Sequence, residues 1–95
     1  MTSRFLTAFA GLGLLSACAL PPEGVTPVDL AAFDEAVASI GCDLVDEGDY
    51  LPVELQTGLT RQQVLETAQF RLASEQAVSL SNGGIRLITG ACAPE

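Results

Sequence analysis

The densest group of side chains that could do chemistry lies between residues 43 and 54, where four of the five acids, Asp43, Glu47, Asp49 and Glu54, are candidate metal ligands. Carboxylate oxygens are the ligands that Ca²⁺ prefers in proteins. Counted from Asp43, these acids occupy ligand positions of a calcium loop of about twelve residues. The third position, however, is Val45, which has no ligating atom. The pattern favours a solvated acidic turn without metal, and a divalent-metal- or ligand-responsive module at residues 43–54 is the alternative.

The composition excludes several classes of function. The 95 residues contain no histidine, so histidine-dependent nucleophilic catalysis and His-ligated zinc are absent. The net charge is −8 and no lysine occurs, which opposes binding to a phosphate backbone. No pair of carboxylates stands out as a general acid and base. We therefore predict a protein that is not an enzyme and has no cofactor, no nucleic-acid partner and no small-molecule substrate.

The N-terminus has the layout of a secretory signal. Arg4 is the only charge among the first 20 residues, and an apolar run follows from Phe5 to Leu15. A basic start, an apolar core of roughly 7–15 residues and small residues at the cut are typical of such signals. The run is too short to span a bilayer, which takes about 20 residues.

The four residues Leu15-Ser16-Ala17-Cys18 resemble the lipobox of bacterial lipoproteins. The resemblance implies a lipid on the Cys18 sulfur and cleavage of the Ala17–Cys18 bond, so that residues 1–17 are the signal peptide. It also implies the outer membrane, facing the periplasm, because Ala19 and not Asp follows the cysteine. Ordinary signal peptidase cleavage after Ala19 is an alternative.

The odd number of cysteines needs an explanation in an exported protein. If Cys18 carries lipid, Cys42 and Cys92 remain as a pair in an oxidising compartment. A disulfide across about 50 residues would stabilise a small domain by roughly 4 kcal/mol. We predict this bond, with two unpaired buried thiols as the alternative.

Capping signals and apolar spacing predict three helices after a Pro-rich tether at residues 18–26. Thr26-Pro27-Val28-Asp29 and Thr60-Arg61-Gln62-Gln63 are helix starts of the capping-box type. A short strand at 43–45 and a short helix at 49–56 lie between them. The apolar stripe of the first helix comprises Leu30, Phe33, Val37 and Ile40, and that of the third comprises Val64, Leu65, Ala68 and Leu72.

A β-hairpin is predicted near the C-terminus. Asn82-Gly83 is a preferred pair for a two-residue type I′ turn. Such a turn pairs Leu80 with Ile85 and Val78 with Leu87, and places these four apolar side chains on one face of the hairpin.

Residues 53–89 resemble a winged helix-turn-helix, with Gly58-Leu59-Thr60 in the turn and the Gly-rich hairpin as the wing. In a DNA-binding member, Arg61, Gln62 and Gln63 would open the recognition helix and face base edges. The acidic charge and the export signal oppose that role, so we predict the shape without the DNA function.

Four residues are candidates for contact with a partner protein. Phe70 lies off the core stripe of the third helix, near Gln63 and Glu66, and Ile88 lies on the outward face of the hairpin. Exposed aromatic and apolar side chains can mark an interaction surface. The alternative for Phe70 is packing beneath the wing or a loop.

Together these features predict an α+β protein with a winged-helix-like domain at residues 27–95, consisting of three helices, a C-terminal hairpin and one disulfide. The primary functional hypothesis is a lipid-anchored periplasmic lipoprotein that binds or stabilises another envelope protein without catalysis. The alternatives are the metal- or ligand-responsive module and a cytoplasmic winged-helix regulator whose N-terminus is not a signal.

Overall fold

The computed structural model describes residues 20–94. The predicted signal peptide and Cys18 lie outside the described residues. Along the chain the elements are α1 (Pro27–Ser39), β1 (Asp43–Leu44), α2 (Glu47–Thr57), α3 (Arg61–Ala73), β2 (Ala77–Ser79), β3 (Ile85–Leu87) and a 3₁₀ turn at Gly90–Cys92. The strands form one antiparallel sheet in the order β1-β3-β2. The predicted α+β class is confirmed.

Both predicted capping boxes are present. The Thr26 hydroxyl accepts a hydrogen bond from the Asp29 N–H (3.1 Å), and the Asp29 carboxylate accepts one from the Thr26 N–H (2.9 Å). Thr60 and Gln63 repeat this exchange at the start of α3, with both distances 3.1 Å. Each box satisfies two backbone donors that the helix itself leaves free.

The second helix begins earlier than the sequence indicates. Its N-cap is Asp46, whose carboxylate accepts from the Gly48 N–H (3.2 Å), and Asp49 completes a third capping box. The residues just before the predicted helix at 49–56 therefore already belong to α2, with Glu47 and Gly48 in its first turn, and Pro52 lies inside the helix. The left-handed Gly58, with φ +75°, ends α2.

A Schellman motif ends α1 and carries the chain into the sheet. The Gly41 N–H donates to the Ala38 carbonyl (3.2 Å), and the Cys42 N–H donates to the Val37 carbonyl (2.9 Å). Cys42 itself has φ +75°, which is uncommon for a residue other than glycine. Its Sγ lies 2.12 Å from that of Cys92, which confirms the predicted disulfide.

The hairpin forms, but its predicted register is wrong by one residue. Leu87 pairs with Ala77, not with Val78, and Ile85 pairs with Ser79. Because side chains alternate along a strand, a shift of one residue exchanges the two faces of β2. Ala77 is therefore buried (5 % exposed), whereas Val78, predicted on the apolar face of the hairpin, is 42 % exposed.

The reason for the shift is the length of the loop. The Leu80 N–H donates to the Gly84 carbonyl (2.8 Å), which leaves residues 81–83 as a three-residue loop. Gly83 has φ +93°, as in the hairpins that follow a type I turn with one left-handed residue. The Gly84 N–H donates to the carboxamide oxygen of Asn82 (3.0 Å), and this hydrogen bond favours the longer loop.

Gly84 is needed because Leu44 and Val45 approach it closely. A Cβ at this position would lie 2.6 Å from the Leu44 carbonyl oxygen and 2.8 Å from the Val45 Cα. Both atoms are backbone, so the chain at the end of β1 would have to move. We expect Gly84→Ala to lower the free energy of unfolding by about 2 kcal/mol in a urea titration. The exposed loop substitution Ser81→Ala is the control, and equal stability of the two variants would contradict the packing argument.

The core lies between the three helices and the inner face of the sheet. Its largest fully buried side chains are Phe33, Leu44, Leu87, Val37, Val53, Val64 and Thr67. Leu30 and Ile40 pack against it, so the predicted stripe of α1 is confirmed. The stripe of α3 is partly wrong, because Leu65 is 39 % exposed and the helix instead buries Thr67 and Arg71.

Candidate functional site

Two of the four candidate metal ligands are bound by Arg61. Its guanidinium donates to both Glu47 carboxylate oxygens, at 2.8 and 2.7 Å, and its Nε donates to Glu54. The same group stands over the Tyr50 ring, 5.0 Å from the centroid. The hydrogen bonds from Arg61 are the main cause that lowers the pKa of the Glu47 carboxyl. Arg61 thus connects the first turn of α3 to the first turn and the C-terminal half of α2.

The other two candidate ligands are engaged separately. Asp43 receives two hydrogen bonds from Arg86, at 2.7 and 3.0 Å, across the β1–β3 pair. These bonds lower the pKa of the Asp43 carboxyl. Asp49 faces the backbone and accepts from the N–H groups of Val45 (2.8 Å) and Asp46 (3.4 Å).

The four acids therefore do not converge on one point. Residues 47–57 are helical, so the ligand positions do not wrap around a centre as they would in a calcium loop. Within residues 20–94, no group of three or more acids or cysteines is placed to hold a metal ion. What the acidic run does in this fold is cap α2 and bind arginines.

The three residues that would open a recognition helix all form hydrogen bonds within the domain. Arg61 donates to two carboxylates, the Gln63 side chain accepts from the Thr60 N–H, and Gln62 donates to Glu66 at 2.9 Å. The only cation of this trio is therefore neutralised inside the domain.

A buried ion pair, which the sequence reasoning missed, joins α1 to α3. Arg71, only 8 % exposed, donates to both carboxylate oxygens of Asp34, at 3.0 and 2.7 Å, and to the Gln76 side chain. Burial raises the pKa of the Asp34 carboxyl, and the hydrogen bonds from Arg71 only partly oppose this effect. The spacing of Arg71 from Val64 and Ala68, seven and three residues, was the available signal, because it places all three on one helix face.

The strongest candidate binding surface is a groove between the N-terminal segment and α3. It has a volume of about 460 Å³. The residues that line this groove are Leu20, Pro22, Glu23, Glu66, Gln69 and Phe70. We call it the N-terminal groove.

A β-turn before α1 builds one wall of the N-terminal groove. The Val25 N–H donates to the Pro22 carbonyl (3.2 Å), and Gly24 supplies φ +79° in the turn. Val25 is buried in the core, so this part of the segment predicted as a tether packs against the domain. A Cβ on Gly24 would lie 3.0 Å from the Gln63 side-chain nitrogen, which shows how closely the turn approaches α3.

The structure brings together two of the four predicted contact residues. Phe70 and Glu66 both line the N-terminal groove, and Phe70 is only half-buried. Gln63 lies beside the adjoining turn, where it faces Gly24. Ile88 is half-buried and lies outside the groove, where its N–H extends the sheet by donating to the Gln76 carbonyl (2.9 Å).

A second apolar surface, on α2, was not predicted. Leu51 and Leu55 are 48 % and 83 % exposed, and their spacing of four residues puts them on the same side of the helix. Neither residue lines the N-terminal groove.

Comparison with protein families, curated proteins and solved structures finds no match for this chain. Among residues 20–94, the helices are all too short or too polar to cross a bilayer.

Proposed function

We propose that this protein is a lipoprotein of the bacterial envelope, anchored through lipid on Cys18, in the outer membrane and facing the periplasm. The observation that carries the proposal is the Cys42–Cys92 bond, which takes two of the chain's three cysteines. The remaining cysteine is the one in Leu15-Ser16-Ala17-Cys18. A paired disulfide also fits an oxidising compartment.

We infer that the domain is a winged helix used for protein contact. The order helix-strand-helix-helix-strand-strand, with sheet order β1-β3-β2, supports this assignment. The charges support a role other than DNA binding. Each arginine within residues 20–94 is held by a carboxylate, and the net charge of the whole chain is −8.

The proposed task is to bind or stabilise another envelope protein without catalysis. The N-terminal groove supports this task, because it combines a half-buried aromatic side chain with two exposed carboxylates on the domain surface. Interfaces of this kind depend on a few apolar anchors with polar groups around them.

The anchoring is tested by metabolic labelling with radioactive palmitate in a bacterium that processes lipoproteins. We expect Cys18→Ala to abolish the label and to leave the chain as an uncleaved precursor, because the acceptor sulfur is gone. The variant Cys42→Ser/Cys92→Ser is the matched control and keeps the label, since its Cys18 is intact. Recovery of the unlabelled native protein in the soluble cytoplasm would end the lipoprotein proposal.

A further inference from the structure

We propose that the N-terminal groove binds a cationic segment of a partner protein that also carries an apolar side chain. This inference rests on the proposed role of the domain as an interaction module, and it names the chemistry of the partner.

The apolar part of the site is the floor between the N-terminal segment and α3. Phe70 comes from α3, while Leu20 and Pro22 come from the opposite wall. The volume of about 460 Å³ falls within the range of about 300–1,000 Å³ that is typical of binding pockets. An apolar side chain entering here would remove the exposed surface of Leu20 and Phe70 from water.

The charge of the site sets the sign of the partner. Glu23 and Glu66 contribute one carboxylate to each wall, both residues are exposed, and neither forms an ion pair within residues 20–94. Glu66 accepts a single side-chain hydrogen bond, from Gln62. Each cation in this part of the chain is already held by other acids: Arg61 by Glu47 and Glu54, Arg71 by Asp34, and Arg86 by Asp43. Arg4, the remaining cation of the chain, lies outside the described residues and is removed with the proposed signal peptide. In the proposed mature lipoprotein, the positive charge that complements the groove therefore comes from another molecule.

The same charges disfavour the other occupants. A second copy of this acidic domain would bring further carboxylates to the groove and no free arginine from residues 20–94. An anionic membrane surface would face Glu23 and Glu66 with charge of the same sign. A lysine- or arginine-bearing protein segment has neither disadvantage.

The test uses the lipidated protein, purified in a non-ionic detergent, and a fluorescein-labelled peptide of alternating lysine and leucine. Anisotropy at low salt measures binding, with protein-free micelles as the blank. We expect Glu23→Gln/Glu66→Gln to weaken binding by about tenfold, since both complementary charges are lost. The matched control is Glu35→Gln/Glu75→Gln, which removes the same charge from exposed acids that form no ion pair within residues 20–94 and do not line the groove. It should leave the affinity within about twofold.

A second variant tests the apolar floor. Phe70→Ala should weaken the peptide by about fivefold, while Leu55→Ala, on the separate α2 surface, should not. Far-UV circular dichroism establishes that each variant is folded. A glutamate-for-lysine version of the peptide should not bind.

Three results would overturn the inference: no binding of the lysine peptide, equal weakening by the two glutamate double variants, or equal binding of the acidic peptide. Weakening of dimerisation by Phe70→Ala, in sedimentation of the native protein, would assign the groove to a second copy. Binding of native protein, but not of Glu23→Gln/Glu66→Gln, to vesicles of anionic lipid would assign it to the membrane. If the peptide does not bind although palmitate labels Cys18, only the groove proposal is overturned. If the peptide binds although no palmitate label is found, only the anchoring proposal is overturned.

Discussion

Replacing Cys42 and Cys92 by serine is expected to lower the free energy of unfolding by about 4 kcal/mol. The bond closes a loop of 50 residues, and cross-linking a loop of this length removes much of the entropy of the unfolded chain. Small domains have total stabilities of about 5–15 kcal/mol, so the loss is a large part of the whole. Urea unfolding followed by circular dichroism measures it.

The location of the disulfide explains why other contacts would not compensate for its loss. Cys42 follows the end of α1, and Cys92 lies in the 3₁₀ turn Gly90–Cys92, which has no fully buried residue. The disulfide is thus the main attachment of the C-terminal segment to the domain. Reductant should destabilise the native protein to the same extent and leave the double-serine variant unchanged. A native protein insensitive to reductant would refute this account.

The second large effect is expected at the buried ion pair. Asp34→Ala should destabilise the domain by about 3 kcal/mol, because it leaves the Arg71 guanidinium buried without its carboxylate. Arg71→Ala should have an effect of similar size, since it leaves the partly buried Asp34 without its partner and also opens a space beside Phe70, whose ring is 5.7 Å from the Arg71 Cζ. Thermal and urea unfolding of the disulfide-bonded variants measure both changes.

An exposed pair in the same protein is the matched control. Asp43 and Arg86 form an equally well-aligned bridge on the surface of the sheet, where solvent screens it. Arg86→Gln should therefore cost less than about 1 kcal/mol. If it costs as much as Arg71→Ala, burial is not the deciding factor.

A double replacement distinguishes the contribution of the ion pair from the cost of leaving one buried charge without its partner. In Asp34→Leu/Arg71→Met, no charge is left unpaired, and buried ion pairs can often be replaced by apolar residues at little cost. Burial raises the pKa of Asp34 despite Arg71, which means that desolvation is the larger effect at this carboxylate. We therefore expect the double variant to be more stable than either alanine variant.

Local chemistry made part of the fold predictable. The capping boxes at Thr26 and Thr60 depend on residues three positions apart, and the stripe of α1 follows from helix geometry alone. The disulfide followed from the cysteine count and from the predicted export of the chain. The hairpin register could not be predicted in this way, because the pair Asn82-Gly83 fits both a two-residue turn and the last two positions of a three-residue loop. The close approach of β1 to Gly84 is a tertiary contact that no turn motif contains.

The candidate site depends on pairings between distant residues. Arg86 meets Asp43 across 43 positions, and Arg71 meets Asp34 across 37, so no spacing rule connects them. The sequence alone therefore gave no sign that these acids form ion pairs with arginines. The N-terminal groove was missed for a related reason. Pro22 indicated an extended tether, whereas in the structure Val25 is buried and this segment packs against α3.

The turn at residues 22–25 also sets how far the folded body stands from a lipid on Cys18. Four residue steps separate Cys18 from Pro22, and covalent geometry limits them to about 14 Å. In the proposed lipoprotein, this short reach would hold the groove close to the lipid headgroups. A partner would then meet the groove by diffusion in the plane of the membrane, and its cationic segment would have to lie near the membrane.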